Sequence, residues 1–322
     1  MFHVKREEGN LGKTISICNQ KGGVGKTTTA INLSAYLAEA GKRVLIIDID
    51  PQANATSGIG VSKQSIQKSI YNVLLGSMSL SDVVLETPVK NMFLAPADLH
   101  LTGAQIELVS AFNREQQLKH SIKPIKQDYD FIIIDCPPSL GLLTINALTA
   151  SETTLIPLQC EYYAMEGLSQ LLHTVKLVQN NLNPALDIEG VVLTMADYRT
   201  NLTNEVIKEA RGFFKEKIYN TIIPRSIRLS EAPGHGKPVM LYDKHATGAV
   251  AYKAFAAEVI SHNTLPNTTL EQNNSYSAGP APIPQASHDL QHEVLPTNTE
   301  TVERDVTPTN ILEEDGGENG KT

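Results

Sequence analysis

The sequence has 322 residues, of which 41% are hydrophobic, and a formal net charge of −8, so it is long enough for one large domain or two ordinary ones. It contains no uncharged apolar run of membrane-spanning length, and its N-terminus lacks the apolar core of a secretory leader. The three cysteines, Cys18, Cys136 and Cys160, lie in or beside apolar runs without C-x-x-C spacing. We therefore expect reduced, mostly buried thiols in a cytoplasmic protein, and no metal or iron–sulfur cluster held by them.

The acidity of the chain is concentrated at its C-terminal end. Residues 261–322 contain ten acidic and two basic residues, so residues 1–260 carry 25 of each sign and are neutral. The acidic segment is rich in Asn, Thr, Pro, Ser and Glu and poor in large apolar residues, a composition that buries too little surface to offset its ordering entropy. We predict a polar lead-in over residues 1–12, a folded domain over 13–261 and a disordered acidic tail over 262–322.

Apolar runs and helical periodicity predict the elements of the first half of the chain. In chain order they are a strand at 14–18, a glycine-rich loop at 20–28, a helix at 30–40, a strand at 43–50, an ordered loop at 52–62, a helix at 69–75, a strand at 92–95 and a helix at 104–122. The second strand is almost continuously apolar, as expected for a strand covered on both faces.

The second half repeats the alternation of strand and helix. Strands are predicted at 130–135, 153–158, 188–195 and 221–224, and helices at 141–150, 165–179, 204–214 and 249–260. Alternating strands and helices predict a three-layer α/β fold with a mostly parallel sheet and helices on both faces.

The loop between the first strand and the first helix has the composition of a phosphate-binding loop. Gly22, Gly23 and Gly25 allow backbone N–H groups to approach phosphate oxygens without a Cβ in the way. The helix that follows directs the positive end of its dipole at the anion. Lys26 is placed to reach the β- and γ-phosphates, and Thr27 to put its hydroxyl on Mg²⁺.

Two strand ends supply carboxylates close to this loop. Asp135 closes an apolar strand, at the position where a carboxylate helps to hold hydrated Mg²⁺. Asp48 and Asp50 close the second strand and, being two residues apart, share a face at the carboxyl edge of the sheet. One of these two carboxylates can orient an attacking water and the other can support the metal shell, and the candidate metal ligands are Thr27, Asp48 and Asp135. The alternative, a turn-forming or capping role, is stronger for Asp48 than for Asp50.

The motifs together resemble one family of ATPases. The usual pattern G-x-x-x-x-G-K-[ST] fails because residue 20 is Gln, but the narrower pattern K-G-G-x-G-K-T fits residues 21–27, and it is the deviant Walker A loop of the ParA/MinD ATPases. The segments DIDPQANAT at 48–56, DCPPS at 135–139, LTMADYRTNL at 193–202 and IPRSIRLSEAP at 223–233 closely resemble the chromosomal ParA (Soj) family. One departure is Ala53, where the family usually has glycine.

The resemblance implies a P-loop NTPase fold, ATP and Mg²⁺ as cofactors, and weak, partner-stimulated ATP hydrolysis by a dimer that forms on ATP binding. It implies that Lys21 crosses to the partner subunit's nucleotide and acts in catalysis, and that Gly22 lies at the dimer interface. It also implies that Lys26 serves catalysis, that Asp50 helps to place the attacking water and that residues 136–144 form a second switch. Nucleotide binding is assigned to ten residues: Lys21, Gly22, Gly23, Val24, Gly25, Lys26, Thr27, Thr28, Met195 and, near the adenine, Pro224.

The resemblance also implies binding to double-stranded DNA without sequence preference, through Arg199, Arg225 and Arg228. Residues 196–244 contain nine basic and six acidic residues, a modest excess that is equally typical of a solvated charged face. The expected partners are a second copy of the chain, the nucleoid and a ParB-like centromere-binding protein, with no membrane.

The predicted function is chromosome or plasmid segregation by an ATP-driven switch. The rival functions are a MinD-like division-site regulator, which needs a basic amphipathic helix where this chain has an acidic segment, an iron–sulfur carrier, which needs paired cluster cysteines, and an ATPase that positions another cargo, such as a chemosensory array or an organelle. The sequence leaves this last alternative open.

Overall fold

The computed structural model describes residues 12–161 and 168–264. The predicted acidic tail and all but the last residue of the predicted lead-in lie outside this part of the chain. The described residues contain the strands β1 (Lys13–Ile17), β2 (Val44–Asp48), β3 (Leu85–Glu86), β4 (Met92–Ala95), β5 (Phe131–Asp135), β6 (Thr153–Gln159), β7 (Asp187–Ala196) and β8 (Ile218–Pro224). They form a single sheet in the order β3-β4-β2-β5-β1-β6-β7-β8, and every neighbouring pair is parallel except the short edge pair β3–β4.

Helices connect these strands. In chain order they are α1 (Lys26–Glu39), α2 (Asn54–Gly58), α3 (Ile70–Leu74), α4 (Leu101–Glu107), α5 (Gln117–Ile122), α6 (Leu142–Ala150), α7 (Leu168–Asn181), α8 (Asn201–Phe214), α9 (Ile227–Glu231), α10 (Val239–Tyr242) and α11 (Thr247–Thr264). Within the described ranges, none of them is both long enough and apolar enough to cross a membrane.

The sheet is covered on both faces because alternate strand residues enter different cores. In β5, Phe131 and Ile133 belong to the core that contains side chains of α1, α2, α9, α10 and α11. Ile132 and Ile134 belong to the core that contains side chains of α3 to α8. Since successive side chains of a strand point to opposite faces, this division confirms the predicted three-layer α/β fold.

The predicted helix over residues 104–122 is wrong. The segment contains α4, a short 3-10 turn at Leu108–Ser110 and then α5. Asn113 has a φ of 52°, in the left-handed region, and an α-helix cannot continue through such a residue. Leu108 and Leu118, on either side of the break, are both buried in the same core, so the apolar positions that suggested one helix belong to two short ones.

Other predicted elements hold, with differences at their ends. The predicted loop over 52–62 contains α2, and α1 begins at Lys26, four residues before its predicted start. The last helix, α11, continues to Thr264, beyond the predicted domain end at residue 261. The first part of the helix predicted over 165–179 falls on residues 165–167, which lie outside the described ranges. Strand β3 and helices α9 and α10 were not predicted, because elements of two to five residues carry almost no periodicity.

Candidate functional site

Three strand ends meet at the carboxyl edge of the sheet. In the register of the parallel pairs, Ile17 lies beside Asp135, and Asp135 lies beside Asp48. The chain leaves β1 directly into the glycine-rich loop and then enters α1. Strand order therefore brings together the loop and two of the predicted carboxylates, which are separated by up to about a hundred residues in the sequence.

The loop exposes its backbone. Gly23 and Gly25 have φ values of 76° and 92°, a conformation that L-residues with a side chain adopt only under strain. A Cβ built on Gly22 or Gly23 would meet no atom within 4 Å, so the space beside these two glycines is open. Thr194 at the end of β7 donates a buried hydrogen bond of 2.9 Å to the carbonyl of Val24, which fastens the loop to the sheet.

Lys26 lies inside this loop. The residue is only 7% exposed, and its ammonium donates a hydrogen bond of 3.1 Å to the carbonyl of Lys21. Burial lowers the pKa of Lys26, and the neighbouring carboxylate of Asp135 partly opposes that shift. A cation held in a loop of open backbone N–H groups is suited to bind a phosphate group.

Asp135 is fully buried, and neither of its carboxylate oxygens has a hydrogen-bond partner. Burial raises its pKa well above the ordinary value, and repulsion from Asp48 adds to this, whereas the nearby Thr27 hydroxyl and the charge of Lys26 lower it. An unpartnered buried carboxylate is costly unless a cation compensates it. Asp135 with the Thr27 hydroxyl therefore fits a magnesium ion.

The rest of the metal shell has to come from other ligands. Among residues 12–161 and 168–264, no group of three or more His, Cys, Asp or Glu residues is arranged to hold a metal ion. Mg²⁺ is commonly bound by one or two carboxylates together with phosphates and water, so this arrangement suits a metal that binds with a nucleotide.

The contacts of Asp48 are those of a turn-forming residue. It accepts hydrogen bonds from the Thr56 amide at 2.8 Å, the Thr56 hydroxyl at 2.7 Å and the Asp50 amide at 3.2 Å. Burial raises its pKa to about 6, although the hydrogen bonds from Thr56 and Asp50 lower it. Both oxygens are thus engaged within the loop that follows β2. Its assignment as a metal ligand stays a prediction.

Asp50 lies in the loop that follows β2, two residues after Asp48. It is 6% exposed, and one of its oxygens accepts a hydrogen bond of 2.9 Å from the Gln52 amide. The network around Asp48 holds the backbone of Asp50 in position, because Asp48 accepts from the Asp50 amide itself. Asp48 therefore shapes the loop in which Asp50 lies, and the catalytic role of Asp50 stays a prediction.

Lys21 forms an ion pair of 3.2 Å with Glu161, which follows β6. The Lys21 amide donates to the side chain of Asn19 at 3.0 Å. Sequence reasoning missed Glu161, Asn19 and Thr194 as residues that shape the loop. Only their position at strand ends signalled them, since β6 lies beside β1 and β7 lies beside β6.

The other predicted nucleotide residues lie at the same edge of the sheet. Met195, near the end of β7, has a φ of 53°, and its methyl group would be 3.9 Å from a Cβ built on Gly25. Pro224 ends β8, the neighbouring strand, and is paired with Ala196. Met195 therefore lies near Gly25 of the loop, whereas Pro224 lies one strand further along the sheet.

The three predicted DNA-binding arginines are exposed and follow the ends of β7 and β8. Arg199 forms a two-pronged ion pair with Asp197, and this contact lowers the pKa of Asp197 to about 2. Arg228 pairs with Glu231 at 2.7 Å and with Asp243 at 3.5 Å, and Arg225 approaches Glu161 at 3.8 Å. The structure gathers these arginines at one edge, each beside a carboxylate.

Comparison with known proteins identifies relatives of this chain. Residues 12–188 match the AAA domain family. The chain is 57% identical over 252 residues to the sporulation initiation inhibitor protein Soj of Bacillus subtilis (strain 168), covering 78% of this chain and all of that protein. It is 51% identical over 254 residues to the chromosome partitioning protein ParA of Myxococcus xanthus (strain DK1622), covering 79% and 90%.

Among solved structures, cobyrinic acid a,c-diamide synthase from Mycobacterium smegmatis with bound ADP and magnesium superposes with a TM-score of 0.70 at 36% identity, covering 78% of this chain and 95% of that one. Three observations indicate the same family: the sequence motifs, the open loop beside Asp135, and the match over 90% or more of the two relatives. The chain therefore belongs to the ParA/Soj family of chromosome-partitioning ATPases.

Proposed function

We propose that this protein is an ATP-dependent dimerising switch that binds DNA without sequence preference and drives chromosome or plasmid segregation. ATP hydrolysis with ATP and Mg²⁺ follows from its family and from the related structures with nucleotide and magnesium bound. The observation that carries the proposal is the loop with two lysines, Lys21 and Lys26, beside the unpartnered Asp135.

The residues of this chain divide the work of hydrolysis. Lys26 and the backbone of Gly22–Thr28 bind the phosphates, while the Thr27 hydroxyl and the Asp135 carboxylate hold Mg²⁺, which neutralises charge on the phosphates when bound. Asp50 orients the attacking water from the loop that Asp48 shapes. Lys21 reaches the nucleotide of the partner subunit. There its ammonium is a second cation, beside Lys26 of that subunit, and stabilises charge in the transition state.

DNA binding depends on the dimer. Residues 1–260 are neutral overall, so the affinity of the protein for DNA comes from the arginines at the ends of β7 and β8. A single subunit offers few phosphate contacts, and a dimer doubles them on one rigid body, which raises avidity steeply. A ParB-like partner then stimulates hydrolysis and releases the DNA, so the protein cycles between the nucleoid and the cytoplasm.

A gel-shift series with and without ATP, at increasing salt, tests this proposal. Binding to unrelated DNA sequences should require ATP and weaken with a log–log slope of about −0.9 for each phosphate neutralised. Arg199→Ala with Arg228→Ala should abolish DNA binding while ATP-dependent dimers persist. Equal binding by the nucleotide-free monomer, or full binding by the double variant, would remove these arginines from the mechanism.

The Asp50→Ala variant separates hydrolysis from binding. A carboxylate that orients water acts in the transition state and contributes little to ground-state affinity, so this variant should accumulate as an ATP-bound dimer that holds DNA persistently. Wild-type turnover would show that Asp50 has no catalytic role. Binding to anionic vesicles in place of DNA would instead favour the MinD-like alternative.

A further inference from the structure

Glu161 lies between the nucleotide loop and the arginine-bearing edge. One of its carboxylate oxygens, Oε2, is 3.2 Å from the ammonium of Lys21. The other, Oε1, is 3.8 Å from the guanidinium of Arg225 and accepts a hydrogen bond from the Gln159 amide group. A single carboxylate therefore contacts one cation from each of the two regions that the proposed function uses.

The backbone holds Glu161 at this junction. The preceding residue, Cys160, donates a backbone hydrogen bond to Thr194 at 3.1 Å, and Glu161 itself donates to the carbonyl of Gln159 at 2.8 Å. Thr194 is also the residue that fastens the loop through Val24. The backbone of Glu161 is thus attached to the same strand ends that carry the loop, which keeps this residue close to Lys21.

We infer that Glu161 is a positioning residue that holds Lys21 in its own subunit and so raises the ATP concentration at which the dimer forms. The inference rests on the proposed function, in which Lys21 must reach the partner's nucleotide. Before Lys21 crosses, its ion pair with Glu161 has to break. Two such ion pairs, one in each subunit, have to break when a dimer forms, so both of them reduce the dimerisation constant.

The restraint is modest because the ion pair is partly exposed, with side-chain exposures of 35% for Lys21 and 44% for Glu161. Exposed ion pairs change an equilibrium by about 1.4- to 5-fold each, so two pairs change the dimerisation constant by roughly 2- to 25-fold. An effect of this size adjusts the threshold for assembly without preventing it.

The first experiment tests the ion pair between Lys21 and Glu161 in the absence of nucleotide. Nucleotide-free protein is treated briefly with acetic anhydride, and acetylation of each lysine is measured by peptide mass spectrometry. Glu161→Gln should raise labelling of Lys21 by about two-fold or more. Labelling of Lys208, which is exposed on α8, should be the same in both proteins and serves as the reference. Unchanged labelling of Lys21 would overturn the inference.

The second experiment measures how the ion pair affects the ATP concentration at which the dimer forms. Light scattering against ATP concentration should show that Glu161→Gln dimerises at a lower ATP concentration than the wild type, and that Glu161→Asp, which keeps the charge, largely restores the wild-type midpoint. Glu209→Gln removes the same charge from an exposed site on α8 and should leave the midpoint unchanged. A wild-type midpoint in Glu161→Gln would overturn the inference.

A double variant shows whether Glu161 acts through Lys21. In a Lys21→Ala background, adding Glu161→Gln should leave the response to ATP unchanged, and any shift there would mean that Glu161 acts by another route. Failure of the wild type to dimerise with ATP would contradict the proposed function, while the labelling experiment would still report on the contact between Glu161 and Lys21. The two failures are therefore distinguishable.

Discussion

Among single side chains, Asp135 shows most directly how the protein gives up stability for binding. Its carboxylate is buried, unpartnered and close to Asp48, an arrangement that costs free energy until a cation arrives. Asp135→Asn should therefore stabilise the nucleotide-free protein by ~1–2 kcal/mol at neutral pH and abolish magnesium-dependent nucleotide binding. Urea denaturation with and without Mg²⁺ and ATP checks both results, and a destabilised variant would contradict them.

The pH dependence of stability has a definite sign at this site. Because burial raises the pKa of Asp135 and raises that of Asp48 to about 6, the folded protein binds more protons than the unfolded chain above the ordinary carboxyl pKa of about 4. The free energy of unfolding without Mg²⁺ should thus fall as pH rises from about 4 to 6, and Asp135→Asn should flatten this fall. A stability that rises through this window would contradict the assignment.

Ala53 is a second residue whose position has a cost. It is buried and has a φ of 51°, where a side chain costs roughly 1–2 kcal/mol. Ala53→Gly should change the free energy of unfolding by less than ~1 kcal/mol, because relief of strain offsets the lost methyl and the added freedom of the unfolded chain. Ala53→Val should cost ~2–4 kcal/mol through strain and overpacking, as measured by urea denaturation. A stable valine variant would show that this turn relaxes.

Within the glycine-rich loop, neighbouring glycines have different physical roles. Gly22 lacks a positive φ, and a Cβ added there meets nothing within 4 Å, whereas Gly25 has a φ of 92°. Gly22→Val should therefore leave folding and nucleotide binding intact and block ATP-dependent dimerisation, because only a partner subunit would meet the new side chain. Gly25→Val is the matched control and should lose nucleotide binding through strain in the loop itself.

Light scattering and nucleotide affinity, measured on both glycine variants, separate these effects. Loss of nucleotide binding in Gly22→Val would place its role inside one subunit. An ATP-dependent dimer of Gly22→Val would remove this glycine from the interface.

For the molecule as a whole, the last turn of α11 is joined to the sheet by side-chain contacts. Asn263 donates to Glu189 at 2.9 Å, and its side-chain oxygen accepts from Lys13, while His262 stacks on Tyr219. A chain ending at residue 261 loses these contacts and should be less stable by roughly 1–3 kcal/mol, whereas a chain ending at Thr264 should keep wild-type stability. Thermal unfolding of the two truncations checks this, and equal stability would contradict it.

The same truncation tests the acidic segment. Removing residues 265–322 takes away ten acidic and two basic residues. Repulsion between these charges and DNA is screened beyond about 8–10 Å at physiological salt, so the chain ending at Thr264 should bind DNA slightly more tightly or equally well. Much weaker binding would show that the segment contributes directly to DNA binding.

The structural elements that depend on local sequence pattern were predicted correctly. The strand, glycine-rich loop and helix around Lys26, the apolar strand before Asp135 and the alternation of strands and helices depend on neighbours in the chain, and hydrophobic periodicity reports such neighbours directly. The same pattern joined α4 and α5 into one helix, because periodicity does not register the left-handed backbone of Asn113.

The division of labour among the site residues required the folded chain. Sheet order brings Asp135 beside Asp48, Glu161 beside Lys21 and Thr194 beside Val24, and these pairs are 87 to 170 residues apart in the sequence. Whether a carboxylate is satisfied, as in Asp48, or left without a partner, as in Asp135, depends on such distant contacts and on burial. Sequence pattern locates carboxylates at strand ends. Packing between remote segments determines which of these carboxylates is left without a hydrogen-bond partner and can bind a cation.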